Sequence, residues 1–274
     1  MPGRSSKPVL LVLDIGKRSL ARFVELESFD RAMALAGQTF AALMPLLLVV
    51  AAVTPRGGKD VASDLVDRFD LTGTAASTLE ASVSQPTEIP GALSAFSAFV
   101  LIVSALSFTR ALQRLYVRAW RLPRLGMYGN AWGLLWLVCF VGFWTLQPLI
   151  VGLFDGTFAL VVTLALSTVL WLFTPWILVG KRIAWQRLLP QALLTTLGLG
   201  LFAVASAIYM PRTVSSAAEQ FGFIGVAFAL LSALFVAALI LVVAAALGAV
   251  LVEPRAQRVA DHPLGVKEHH SARP

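Results

Sequence analysis

Four arginines, Arg110, Arg114, Arg118 and Arg121, stand at i, i+4, i+8 and i+11, a spacing that places side chains on one face of a helix. Leu112, Leu115, Tyr116 and Ala119 take the other faces. A row of guanidinium groups this dense could bind an anionic lipid headgroup or another anionic substrate. At a bilayer surface, basic residues attract anionic headgroups at about 1 kcal/mol each. The row also has a plainer use, because Lys and Arg orient a membrane chain and snorkel to its surface. These four residues are the candidate anionic-lipid contacts, with orientation as the competing reading.

Uncharged polar residues and prolines form a second set. Ser94, Ser97, Ser104 and Ser107 are three, seven and three residues apart and share a helical face. Gln38 and Gln147 lie in other apolar runs, and Pro45, Pro148 and Pro175 each interrupt one. A proline removes a backbone hydrogen bond and leaves a carbonyl available to a cavity. Two readings compete: small polar residues that let helices approach closely, which is favoured, or a polar path for an amphiphile. On the second reading the path comprises Gln38, Pro45, Ser97, Ser104, Gln147, Pro148 and Pro175. Ala203 with Ala207, and Ala244 with Gly248, are read as helix-contact faces.

Groups for catalysis are scarce. His262, His269 and His270 all fall in the last stretch of chain, and the single Cys139 sits inside an apolar run, where it supports neither a disulfide nor a metal site. Asp155 precedes Gly156 in what reads as an ordinary turn. No Asp, Glu, Lys or Arg lies in the middle of a predicted span, which argues against a carboxylate-based proton or sodium relay. Catalytic, cofactor-binding and metal residues are therefore expected to be none, and the chain is not read as an enzyme.

The elements that must carry these residues follow from composition. Of 274 residues, 58% are hydrophobic and 14% charged, against about 25% charged in a soluble domain. Mean hydropathy is +0.79. Apolar runs of roughly 20 residues, enough to cross a hydrocarbon core of about 30 Å, occur near 32–53, 91–112, 130–152, 157–179, 190–210 and 222–252. The reading is an all-α, polytopic membrane protein with six transmembrane helices. Before them, residues 1–31 form a cytoplasmic segment with an amphipathic helix at the membrane surface, using Leu10, Leu11, Leu13, Leu20, Phe23 and Val24. Span two is expected to continue as one helix through the arginine row, and Pro211 to close span five.

The acidic segment 56–90 is expected to be partly helical, since Val61, Leu65 and Phe69 recur every four residues. Residues 253–274, with three Pro and three His, read as a disordered cytoplasmic tail. With both termini cytoplasmic, 18 of the Lys and Arg residues face the cytoplasm and 4 face the other side. That asymmetry accounts for the pI near 10.2 without a nucleic-acid partner. Trp120, Trp132, Trp176 and Trp185 fall near the same boundary, where interfacial tryptophans belong.

In this order, four stretches resemble the YihY/BrkB family of bacterial inner-membrane proteins, which includes YhjD and once carried the label ribonuclease BN. They are the proline-containing block 40–48, Ser107 to Tyr116 leading into the basic helix, Trp185 to Ala192 before span five, and Phe221-Gly222-Phe223-Ile224-Gly225 opening span six. The chain departs from the family at Gly37-Gln38-Thr39-Phe40, where a tyrosine pair is usual, at Gln191 for a usual Gly, and at Val250 for a usual Glu. The resemblance implies a six-helix protein of the inner membrane, with links to envelope integrity and lipid transport. Nothing in the chain supports the ribonuclease label, which needs a carboxylate or histidine set for metal ions. Two function classes remain. One is a transporter or flippase-like protein for a lipid or other amphiphile; the other is a non-transporting interaction protein that holds a partner through 56–90. The expected partners are anionic membrane lipids, with a second copy of the chain or an envelope protein as further candidates.

Overall fold

The computed structural model describes residues 6–53, 91–123, 126 and 128–252. The 56–90 segment and the tail 253–274, with its three histidines, lie outside the described residues. Among those described, all regular structure is helical. Helix α1 is Ser6–Glu25, α2 Ser28–Val53, α3 Gly91–Ala119, α4 Tyr128–Val151 and α5 Gly156–Leu178. The last helical stretch, Trp185–Val252, turns back on itself at Gly222 and so comprises two arms, α6 at 185–221 and α7 at 223–252.

Length and composition make four of these stretches able to cross a membrane: Phe99–Ala119 in α3, Gly129–Val151 in α4, Gly156–Leu178 (α5) and Trp185–Val252. Each arm of the last exceeds the roughly 20 residues that one crossing needs. Helices α4 and α5 bury very little of themselves. Val138 and Leu149 of α4 and Phe158 of α5 are 71%, 68% and 58% exposed. In water such surfaces would cost about 25 cal/mol per Å², whereas in hydrocarbon they are ordinary outer faces.

The core is concentrated at one end of the bundle. Leu26, Leu35, Leu112, Leu115, Leu178 and Leu188 are fully buried there, drawn from the turn after α1 and from α2, α3, α5 and α6. Polar side chains bind the same layer. Gln113 Nε2 donates to the Gly129 carbonyl (3.2 Å) and the Leu178 carbonyl (3.0 Å), which joins α3 to α4 and α5. Trp136 Nε1 donates to Thr174 Oγ1 at 3.1 Å, and Trp120 Nε1 donates to Gln191 Oε1 at 2.9 Å. In hydrocarbon each of these groups would be expensive to leave unpaired.

Two expectations need correcting here. Helix α6 runs through Pro211 and on to 221, because a proline costs one hydrogen bond and a neighbour's support lets the helix continue. The reversal comes at Gly222, with φ 59° and ψ −140°, a conformation open to glycine alone at low cost. Second, Ala203 and Ala207 are exposed, so they do not form a helix-contact face within the chain.

Ala244 and Gly248, by contrast, are buried against α6. A Cβ at Gly248 would lie 2.8 Å from the Gln191 Cα, and one at Gly198 would lie 2.6 Å from the Ile240 Cγ2. The two arms therefore touch almost backbone to backbone at this end. Gly248→Val should cost about 1–3 kcal/mol through forced separation of the arms. Gly37→Ala has nothing within 4 Å to meet and should leave stability equal or slightly higher. Thermal unfolding of the detergent-solubilised protein checks both, and equal melting points for the two variants would contradict the packing.

Candidate functional site

The charged end of the bundle is built from three helix termini. Helix α1 ends in an elbow at Glu27, whose φ of 50° is left-handed. There Ser28 Oγ donates to the Phe23 carbonyl at 2.7 Å and Arg31 Nε donates to the Leu26 carbonyl at 2.6 Å. Helix α3 ends in a Schellman turn: the Leu122 N–H donates to the Val117 carbonyl (2.8 Å) and the Arg121 N–H to the Arg118 carbonyl (3.1 Å). The left-handed position of that turn, normally glycine, is Arg121 with φ 50°. Helix α5 closes in the same way, through Lys181 N–H to the Trp176 carbonyl (2.9 Å) and Gly180 N–H to the Ile177 carbonyl (2.8 Å). Lys181, also left-handed, lies over the rings of Trp132 and Trp176, 5.3 and 4.8 Å from their centroids.

This geometry changes the arginine row. Arg110 Nε donates to Asn130 Oδ1 at 3.3 Å, and Arg118 lies 3.8 Å from Glu27, which also meets Arg31 at 3.7 Å. Arg31, partly buried and near Arg118 and Arg114, is held below the ordinary arginine value, with Glu27 opposing that drop. Arg121 is not on the helical face that its spacing implied. The helix ends before it, and the turn swings it to Glu25 at 3.1 Å. Both members of that pair are about half exposed, so the contact is worth under roughly 1 kcal/mol.

Arg121 instead joins a cleft of about 310 Å³ at the end of the bundle. The cleft is walled by Arg22 of α1, Arg121 and Trp120 beside the α3 turn, Arg182 between α5 and α6, and Arg187 in the first turn of α6. Ala249 and Val252 of α7 supply its apolar side. Arg182 is steadied by donating from Nη1 to the Pro123 carbonyl at 2.7 Å. Sequence reasoning passed over Arg22, Arg182 and Arg187, because they come from separate elements and share no spacing. Pro123, two residues after Arg121, was the available sign that α3 stops there.

A second concavity, about 650 Å³, runs along the α6–α7 hairpin. One side presents Phe202, Tyr209 and Phe221, the other Phe228 and Val236, with Ser206, Tyr209, Thr213 and Ser232 as its hydroxyl-bearing residues. The arms meet again near the tip, where a Cβ at Gly225 would lie 2.6 Å from the Ala217 carbonyl carbon. Tyr209, Phe221 and Phe228 are 66%, 68% and 65% exposed, so the groove opens to the outside of the hairpin.

Of the predicted path, the four residues with described side chains, Gln38, Ser104, Gln147 and Pro175, line neither concavity. Gln38 is half-buried in α2, and its Oε1 has no hydrogen-bond partner among the described residues. Ser104 in α3 and Gln147 in α4 are half-buried, and Pro175 is buried in α5. Pro45 and Pro148 lie within α2 and α4, and Ser97 within α3, with side chains outside the described set. Among the described residues no group of three His, Cys, Asp or Glu could hold a metal ion.

The apolar helices, their outward faces and the charged end together define a multi-pass helical membrane protein. The family model for Virulence factor BrkB matches residues 19–266, and the chain belongs to that family. No curated protein and no solved structure matches it.

The end of α3 gives a test with a distinctive sign. Arg121→Ala and Arg121→Gly lose the same ion pair, but only glycine relieves the left-handed backbone. Arg121→Gly should therefore be the more stable of the two by about 1 kcal/mol in thermal unfolding. A helix continuing through 121 would give the reverse order by a similar amount.

Proposed function

We propose that the chain is a bacterial inner-membrane protein of six spans, with both termini cytoplasmic, that moves a lipid or other amphiphile between leaflets or along its own surface. On this reading α2 is the first crossing, α3, α4 and α5 the next three, and α6 and α7 the last two. Helix α1 then lies at the cytoplasmic surface, and the arginine-rich end faces the cytoplasm.

The observation that carries the proposal is the placing of two unlike concavities on one hairpin. The basic cleft sits where α6 begins and α7 ends, and the apolar groove begins at Phe202. From Arg187 to Phe202 is about 22 Å along a helix at 1.5 Å per residue. The two are thus separate stations rather than one pocket. An amphiphile has a part suited to each: an anionic head for the arginines and a hydrocarbon tail for the groove. The outward opening of the groove supports entry from the bilayer side. The role is non-enzymatic. Gln38, Ser104 and Gln147 are then helix-contact residues or polar points beside the route, a distinction their substitution would reveal. The competing class, a non-transporting interaction protein, relies on 56–90, outside the described residues.

Reconstituted liposomes test the transport itself. Protein-containing vesicles should expose labelled inner-leaflet lipid to an external quencher several-fold faster than empty ones. Ser206→Trp, which fills the groove, should slow that exposure. Rates equal to those of empty vesicles would remove the transport reading and leave the interaction protein.

A further inference from the structure

The cleft brings together guanidinium groups that start far apart in sequence. Arg22, Arg121, Arg182 and Arg187 wall a space of about 310 Å³, large enough for a phosphate with its substituent. Three features separate this space from a chance meeting of surface charges. The Arg22 residue is 4% exposed, so one positive charge is built into the wall. Arg182 is fixed by its bond to the Pro123 carbonyl, which turns a flexible side chain into part of a frame. Arg121 reaches the cleft only because the backbone accepts a left-handed non-glycine residue there, an arrangement that persists where surrounding structure imposes it and that gathers at functional sites.

The carboxylate of Glu25 meets Arg22 at 3.7 Å and Arg121 at 3.1 Å. The other two guanidinium groups of the cleft are those of Arg182 and of Arg187, the latter in the first turn of α6, where the helix dipole favours an anion. The remaining wall is apolar or aromatic, from Trp120, Ile183, Ala249 and Val252, and Trp185 nearby is 53% exposed. Tryptophans at this level suit the headgroup layer of a bilayer.

We propose that this cleft is a binding site for a phosphate-bearing anion, with Arg182 and Arg187 as the direct ligands in a wall that also holds Arg22 and Arg121. The site deepens the amphiphile reading by naming the class of head that the chain takes, and it moves the anion contact away from the row Arg110, Arg114 and Arg118. It rests on that reading only for the lipid as source; binding is measured apart from transport, so either can fail alone.

The full-length protein in neutral detergent is titrated, with native mass spectrometry as readout, against dioctanoyl phosphatidic acid, dioctanoyl phosphatidylcholine and inorganic phosphate. Phosphatidic acid should bind at one saturable site, and phosphatidylcholine should not. Arg187→Gln should weaken binding about tenfold, Arg182→Gln with Arg187→Gln further still, and Arg110→Gln with Arg114→Gln should leave it within about twofold. Inorganic phosphate that competes at similar concentration makes a free anion the source; failure to compete makes the lipid headgroup the source, and either result upholds the phosphate chemistry. Arg187 makes no described side-chain bond, so its single variant serves even if the Arg182 variant unfolds. No saturable binding, wild-type binding by Arg187→Gln, or an equal loss in the Arg110 and Arg114 variant would overturn the site.

Discussion

The contact between Gly248 and Gln191 constrains more of this molecule than any other. With no Cβ at 248, α7 approaches α6 until side chains there have almost no room, and the amide of Gln191 is held between the arms. That amide accepts the indole N–H of Trp120, so the position of the hairpin fixes the end of α3. The end of α3 in turn carries Arg121 into the cleft. In hydrocarbon there is little hydrophobic force to drive helices together, and close packing of small residues with a few hydrogen bonds must do it. Trp120 with Gln191, Trp136 with Thr174 and the two bonds from Gln113 are those bonds here, all toward the charged end.

The clustering of positive charge has a structural cause as well as a functional reading. Helices α3 and α5 both terminate at this end, and their C-terminal dipoles favour Arg118, Arg121, Lys181 and Arg182. On the proposed orientation, the positive-inside bias acts in the same direction. Neither effect explains why Arg22 is buried or why an arginine occupies the left-handed position at 121. Those two features require the local frame, and they are the ones that turn a basic surface into a cleft.

Much of the helical layout was legible in the sequence because hydropathy reports burial in lipid directly. Helix α3 does continue past its apolar part into the arginines, and α4 and α5 are joined by the short turn at Asp155. The errors have physical reasons. Helical spacing carried Arg121 into the row, since a Schellman turn on a non-glycine residue leaves no glycine to mark it. Pro211 looked like a terminator, but a proline ends a helix only when nothing else satisfies the freed carbonyl, and the true reversal waits for Gly222. Ala203 with Ala207 and Ala244 with Gly248 have the same spacing, yet only the second pair faces a helix; spacing identifies a face without saying what covers it. The cleft was illegible for a similar reason, because Arg22, Arg182 and Arg187 meet only through the packing of α1, α5, α6 and α7.

The central claim is that the hairpin offers an amphiphile a defined place, apart from the general apolar surface of α4 and α5. A phospholipid with a photoactivatable acyl chain, incorporated with the protein in nanodiscs and mapped by peptide mass spectrometry, addresses that directly. The account predicts labelling concentrated at Tyr209, Met210, Phe221 and Phe228 and reduced by excess unlabelled anionic lipid. Labelling spread equally over the outer faces of α4 and α5 and unaffected by the competitor would contradict it.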